Sequence, residues 1–336
     1  MLQILDHLPA GLLAAPAADL AGILAGPTLL QLPGQAQRPL FVSTLLHGNE
    51  TSGWEALRQL LSEFQGRLLP RPLSIFIGNV RAARDQLRHL DGQPDFNRIW
   101  APGEGPERDM ASRVLAEIRA LDPVACLDIH NTSGENPVYA CVHRLDDGSL
   151  QLARSFSPTS VFVTHPDSLL AVACSAIAPA LTLECGKPGR RDVIRRVATF
   201  LKGCLAAGGP AEQSTAVPDQ QLLRPVATVR VPAGITFSFA DQGNHHEVDL
   251  CFRADLDGHN FSTLPDGTEI ARIRPGSGAH LQVLDDQGVD VSGNYFRCEN
   301  GSLVTVADLM PSLLTHNARI IRQDCLCYLM ESMATA

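Results

Sequence analysis

The sequence predicts an α/β domain built on a mixed, largely parallel sheet flanked by helices, followed by a small C-terminal β domain. Three observations point there. From about residue 39 to 206, apolar runs of strand length alternate with longer amphipathic stretches. Residues 207–221 break that alternation with small and polar residues, Pro and Gly, as a linker does. Beyond them come short β-type runs separated by turn residues. The predicted organisation is therefore an α/β domain over 1–206, a linker over 207–221 and a β-rich domain over 222–336.

In chain order the predicted strands of the first domain are PLFVSTLL (39–46), LSIFIGNV (73–80), VACLDI (124–129), VYACVH (138–143), SVFVTH (160–165) and ALTLEC (180–185). Their apolar character without clear alternation suits strands covered on both faces. Between them, apolar residues at spacings of three and four predict helices near 52–65, 106–120, 146–155 and 190–206. The second domain is predicted to take its strands from ATVRVPAG, ITFSFAD, VDLCFRAD, LPDGTEIARI, HLQVLDDQG and SLVTVAD, with the terminal run IIRQDCLCYLM docking back.

Composition narrows the function classes. With 336 residues, 45% hydrophobic and 19% charged, the chain reads as an ordinary globular protein with a substantial core. A formal net charge of -9 and the lack of any basic run argue against a nucleic-acid or membrane-surface partner. Nine cysteines, an odd number without a Cys-x-x-Cys pair, suggest reduced thiols in a cytoplasmic protein. The Ala- and Leu-rich opening lacks a basic n-region and holds Asp6 and Asp19, so neither a signal peptide nor a membrane span is expected. Small-molecule chemistry is the expected business of such a chain, and homo-oligomerisation is left open.

Two strand ends carry that chemistry. LHGNE (46–50) follows an apolar strand and places His47 and Glu50 three residues apart, with Gly48 easing a tight turn. His-x-x-Glu alone is a weak signal, more often a surface pair or a helix cap than a metal site, and needs a third ligand. CLDIHNTSG supplies His130 at the end of a second buried strand. Two imidazoles and one carboxylate make a three-ligand zinc site with a position left for water, and imply one Zn2+ per chain. Asp128, two residues before His130 and on the same strand face, could orient one of the histidines. A separate cluster, His245-His246-Glu247, sits in a polar loop and reads as incidental.

HGNE (47–50), DFNR (95–98), DIHNTSG (128–134) and LECG (183–186) resemble, in that order, the motifs of the aspartoacylase and succinylglutamate desuccinylase family, relatives of the zinc carboxypeptidases. The resemblance spans most of residues 40–206, and DLDGHNF and LPDGT extend it more loosely into the second domain. It implies a zinc carboxypeptidase-like fold whose C-terminal β domain crowds the active-site entrance. His47, Glu50 and His130 would be the zinc ligands and Glu184 the general base. Asn97 and Arg98 would bind a substrate carboxylate, for which a guanidinium fork is well shaped. Arg88 would polarise the scissile carbonyl, although its spacing to Asn97 is about two residues longer than the family's. The further substrate-gripping arginine of aspartoacylases falls on Cys174, with Arg190 and Arg191 the nearest substitutes.

The implied activity is hydrolysis of the amide of a small N-acyl amino acid, desuccinylase- or aspartoacylase-like. Two alternatives share the residues: a zinc carboxypeptidase acting on short peptides, and a metal-binding module without catalysis. The second has no use for a base and a carboxylate clamp.

Overall fold

The computed structural model describes residues 2–206, 220–241 and 247–333. It divides into two compact units, Met1–Asn131 with Val138–Gln221, and Thr132–Pro137 with Leu222–Ala336. The predicted linker over 207–221 lies almost wholly outside the described residues, as do His245 and His246.

The first unit contains β1 (Gln3–Leu5), β2 (Thr28–Leu32), β3 (Leu40–Thr44), α1 (Ser52–Glu63), β4 (Leu73–Ile77), α2 (Val80–Arg84), α3 (Pro106–Leu121) and β5 (Ala125–His130). After them come β6 (Tyr139–Val142), α4 (Asp147–Phe156), β7 (Thr159–Phe162), α5 (Leu170–Ser175), β8 (Ala180–Glu184) and α6 (Arg191–Ala206). Its sheet runs in the order β1-β2-β4-β3-β5-β8-β6-β7. The pairs β3/β4, β3/β5, β5/β8, β1/β2 and β6/β7 are parallel, while β2/β4 and β6/β8 are antiparallel. This is the mixed, largely parallel sheet that the apolar runs predict.

Local chemistry sets the element ends. The strand predicted over 73–80 stops at Ile77 because Asn79 turns the chain, its side-chain oxygen accepting from the Ala82 amide to cap α2. Asp146 caps α4 through the Ser149 amide, and Pro106 opens α3 where its missing N–H costs nothing. Strands β3, β4 and β5 are buried at every residue, including Asp128 and His130 at the end of β5. Phe41, Phe76, Trp100, Val114, Ile118 and Leu170 belong to one core cluster of this unit.

The second unit holds all but the first residue of β9 (Gln221–Arg230), then β10 (Phe237–Phe239), β11 (Leu250–Phe252), β12 (Glu269–Ile273), β13 (Gln282–Asp285), β14 (Phe296–Glu299), β15 (Ser302–Thr305), β16 (Met310–Ser312), α7 (Ala318–Gln323) and β17 (Cys327–Ser332). One sheet runs β10-β11-β12-β15-β14. Beside it β17 pairs antiparallel with both β9 and β16, and β13 with β9. Phe239, Phe252, Val283 and Leu329 lie in its core.

The short segment Thr132–Pro137 belongs to this unit although it follows β5 directly. Asn260 donates through Nδ2 to the carbonyls of Glu135 (3.2 Å) and Leu314 (3.0 Å), and Asn136 accepts from the Leu313 amide at 3.0 Å. A Cβ on Gly134 would lie 1.7 Å from the Leu314 carbonyl oxygen, so only glycine permits this approach.

Candidate metal centre and active site

The first unit brings His47, Glu50 and His130 together as a buried cluster whose potential ligand atoms lie within 4.8 Å of one another. Nδ1 of His47 is 2.8 Å from Glu50 Oε1, and Nδ1 of His130 is 2.8 Å from Glu50 Oε2. The ring centroids are 5.1 Å apart. Each imidazole thus turns Nδ1 toward the shared carboxylate, and each turns Nε2 toward another: His47 to Asp95 Oδ1 at 2.9 Å, His130 to Asp128 Oδ2 at 2.9 Å. A carboxylate behind the distal nitrogen fixes a ring's tautomer and raises the basicity of the proximal one, as in metal-ligating histidines generally. The donor set, two imidazoles and one carboxylate, fits zinc.

The strand ends explain this convergence. β3 and β5 are adjacent and parallel, so the segments leaving them emerge on the same edge of the sheet. Gly48 serves it in an unexpected way: its φ is not positive, but a Cβ there would lie 2.2 Å from backbone atoms of Ala82 and Ala83. The glycine lets the 47–50 turn press against α2, and the Gly48 amide donates to the Arg88 carbonyl at 3.1 Å.

Asp128 is held on its far side by Ser43, whose hydroxyl donates to Oδ1 from the neighbouring strand. Burial opposes charge on His130, but the carboxylates of Asp128 and Glu50 outweigh it and hold the imidazole pKa above its ordinary value. Burial likewise opposes ionisation of Glu50, and the imidazoles of His47 and His130 hold it well below the usual carboxylate range.

Glu184 ends β8 directly opposite His130 in the parallel β5/β8 pairing. Burial raises its carboxyl pKa to about 7, against the pull of the His130 imidazole and with the push of Glu50. Among the described residues its side chain has no hydrogen-bond partner. A carboxyl that changes protonation near neutrality suits general acid–base work.

Arg88 and Arg98 flank the cluster. Arg88 donates through Nε and Nη2 to Asp95 Oδ2 at 3.2 and 3.0 Å, and its Nη1 is 3.7 Å from Glu50 Oε1. Asp95, in DFNR but not singled out by the sequence reading, therefore links the His47 ring to Arg88. Its carboxyl is held far below the ordinary range by His47, Arg88 and Arg98 despite burial. The signal in the sequence was the acid two residues before Asn97. Its partner stands 48 residues away, out of reach of any local pattern. Asn97 is buried; its Oδ1 accepts from the Leu170 amide at 3.1 Å and its Nδ2 lies 3.3 Å from His130 Nε2. Arg98 is half-buried and donates to the Asn97 carbonyl.

Cys174, where an arginine was expected by resemblance, is buried in α5 against Cys126. Arg190 is exposed and paired with Asp192, and Arg191 is exposed.

Comparison with known proteins places these residues in a family context. Residues 36–207 match the model of the succinylglutamate desuccinylase/aspartoacylase catalytic domain. No curated protein matches significantly. Among solved structures, succinylglutamate desuccinylase from Vibrio parahaemolyticus superposes with a TM-score of 0.61 at 15% identity, covering 90% of this chain and 85% of that one. Murine aminoacylase 3 gives 0.57 at 17% identity, covering 89% and 96%. A succinylglutamate desuccinylase/aspartoacylase from Rhodobacter sphaeroides gives 0.58 at 15%, covering 91% and 89%. Likeness at these identities speaks for the fold.

Proposed function

Because the chain belongs to the succinylglutamate desuccinylase/aspartoacylase family, we propose that it is a zinc-dependent deacylase hydrolysing the amide bond of a small N-acyl amino acid. The observation that carries this reading is the placing of a carboxyl, Glu184, at the end of β8 directly opposite His130, one of three buried residues of zinc-binding type. A structural metal site has no use for such a group.

His47, Glu50 and His130 would hold the ion. Bound there, zinc would polarise the amide carbonyl and acidify a water. Glu184 takes the proton from the attacking water and later returns it to the leaving amine, which one carboxylate can do in turn. Arg88, oriented by Asp95, is assigned to the carbonyl oxygen as negative charge develops on it. Asn97, with Oδ1 committed to Leu170, has Nδ2 to offer a substrate carboxylate, and Arg98 adds a guanidinium. The products are a carboxylic acid and a free amino acid.

The nine cysteines are odd in number and mostly buried, which supports a reducing compartment, the cytoplasm. No helix among the described residues is long and apolar enough to cross a membrane.

The test is a screen of succinyl, acetyl and longer acyl amino acids, beside short peptides, with the zinc-loaded protein. Amine release from an N-acyl amino acid, with KM raised strongly in Arg98→Lys because an ammonium lacks the guanidinium fork, is the expected result. Preferential cleavage of peptides would make it a carboxypeptidase, and no hydrolysis by the zinc-bound protein would remove the enzymatic reading.

A further inference from the structure

We propose that Asn131 is a positioning residue for this reaction: one side-chain amide sets the ligand Glu50 and the base Glu184 relative to each other. The inference rests on the roles assigned above, but its geometry is independent of them.

Asn131 follows His130 at the end of β5 and is buried. Its Oδ1 accepts from the Ser52 amide at 3.0 Å, and its Nδ2 donates to Ser52 Oγ at 3.0 Å and to the Gly186 carbonyl at 2.7 Å. Its own backbone amide donates to Glu50 Oε2 at 3.0 Å. Ser52 is the first residue of α1, two beyond Glu50, and Gly186 is two beyond Glu184.

Each bond has a distinct consequence. Helix α1 begins after Thr51, which makes no side-chain capping bond; the Ser52 amide is instead satisfied from a different strand. The start of the helix, and so the backbone that carries Glu50, is tied to β5. Beyond β8 the chain turns at Gly186, whose φ is 61°, and regular pairing with β5 gives way. The Cys185 amide still reaches the His130 carbonyl, and Nδ2 of Asn131 extends the linkage one residue further. Both donors and the acceptor of the amide are therefore used, and they bridge segments 55 and 79 residues away in sequence. A purely structural cap would need only the Ser52 half.

Two variants separate those halves. Asn131→Asp keeps an acceptor for the Ser52 amide, and the Ser52 hydroxyl can turn to donate, but a carboxylate cannot donate to the Gly186 carbonyl. Asn131→Ala loses both ties. Zinc affinity is read by competition with a chromophoric chelator, and kinetics on the best N-acyl amino acid, at a temperature well below either melting point. For Asn131→Ala, kcat should fall about 10²-fold with KM within about threefold, and the zinc Kd should rise about 10- to 100-fold, the usual cost of losing a support of metal ligands. For Asn131→Asp, kcat should fall at least about tenfold with the zinc Kd within about threefold. The split between metal affinity and turnover is what a stability role alone would not produce.

Lowered melting temperatures with unchanged kcat and zinc Kd in both variants would overturn the proposal. If the parent holds zinc but hydrolyses no N-acyl amino acid, the functional reading falls instead. The zinc Kd of Asn131→Ala then decides the positioning role alone, an unchanged value overturning it.

Discussion

Glu184 stands opposite His130 in the pairing of β8 with β5, so a carboxyl raised to about 7 by burial sits beside a prospective metal ligand without a hydrogen bond of its own among the described residues. A charge in that position is costly unless the site uses it. Glu184→Gln keeps the shape and removes the proton acceptor. It should lower kcat by about 10²- to 10⁴-fold while zinc content and melting temperature stay near those of the parent. Loss of zinc in the variant would make Glu184 a ligand, and a kcat within tenfold of the parent's would remove it from proton transfer.

Asp128 receives the Ser43 hydroxyl on one oxygen and faces the His130 ring on the other. Asp128→Asn can preserve the packing but presents a weaker acceptor, or a donor, to Nε2. The zinc Kd is expected to rise by about 10- to 100-fold. Ser43→Ala should shift it in the same direction by less. Equal zinc affinity in Asp128→Asn and parent, from chelator competition, would show that the ring needs no carboxylate behind it.

Gly48 carries a prediction about backbone rather than chemistry. The Cβ of Gly48→Ala would lie 2.2 Å from the backbone of α2, so the 47–50 turn or the helix must move. Overpacking of this kind costs about 1–3 kcal/mol, and here the displaced turn holds two prospective ligands. Melting temperature and zinc affinity should drop together. A variant unchanged in both would mean that the approach is easily relieved.

His143 predicts how stability responds to acid. It is buried, with Nδ1–H donating to the Val163 carbonyl at 2.8 Å and Nε2 accepting from the Thr182 hydroxyl at 3.1 Å. Burial pushes its pKa down to about 4 from an ordinary 6.5. Above 6.5 the imidazole is neutral in both states and contributes no pH dependence. Between 6.5 and 4 the unfolded chain takes up a proton that the folded one refuses, so stability falls as pH falls, by up to about 3 kcal/mol. Urea midpoints between pH 7 and 4 should decline less steeply in His143→Gln than in the parent. Parallel curves would assign the acid sensitivity to other groups.

The sequence by itself determined the α/β character of residues 39–206, most of their strands and helices, the β-rich second half and the family. Burial writes itself locally: a strand covered on both faces must be apolar throughout, and an amphipathic helix repeats every three or four residues. His47, Glu50 and His130 were candidates because they stand at or just beyond the ends of two buried strands, and the structure clusters them; Glu184 entered only through the resemblance of LECG to a family motif. The run TLLQL of β2 was not legible, since five mostly apolar residues fit a strand or a buried helix equally, and α2 and α5 are too short to show a period.

Only the tertiary structure decided that Asp95 backs His47, that Asn131 joins Ser52 to Gly186, that Gly48 is required by a neighbouring backbone and that Thr132–Pro137 belongs with the second unit. Each of these is a contact between residues far apart in sequence. Such contacts follow from which strand ends become neighbours in the sheet, a matter of chain topology that neither periodicity nor motif spacing records.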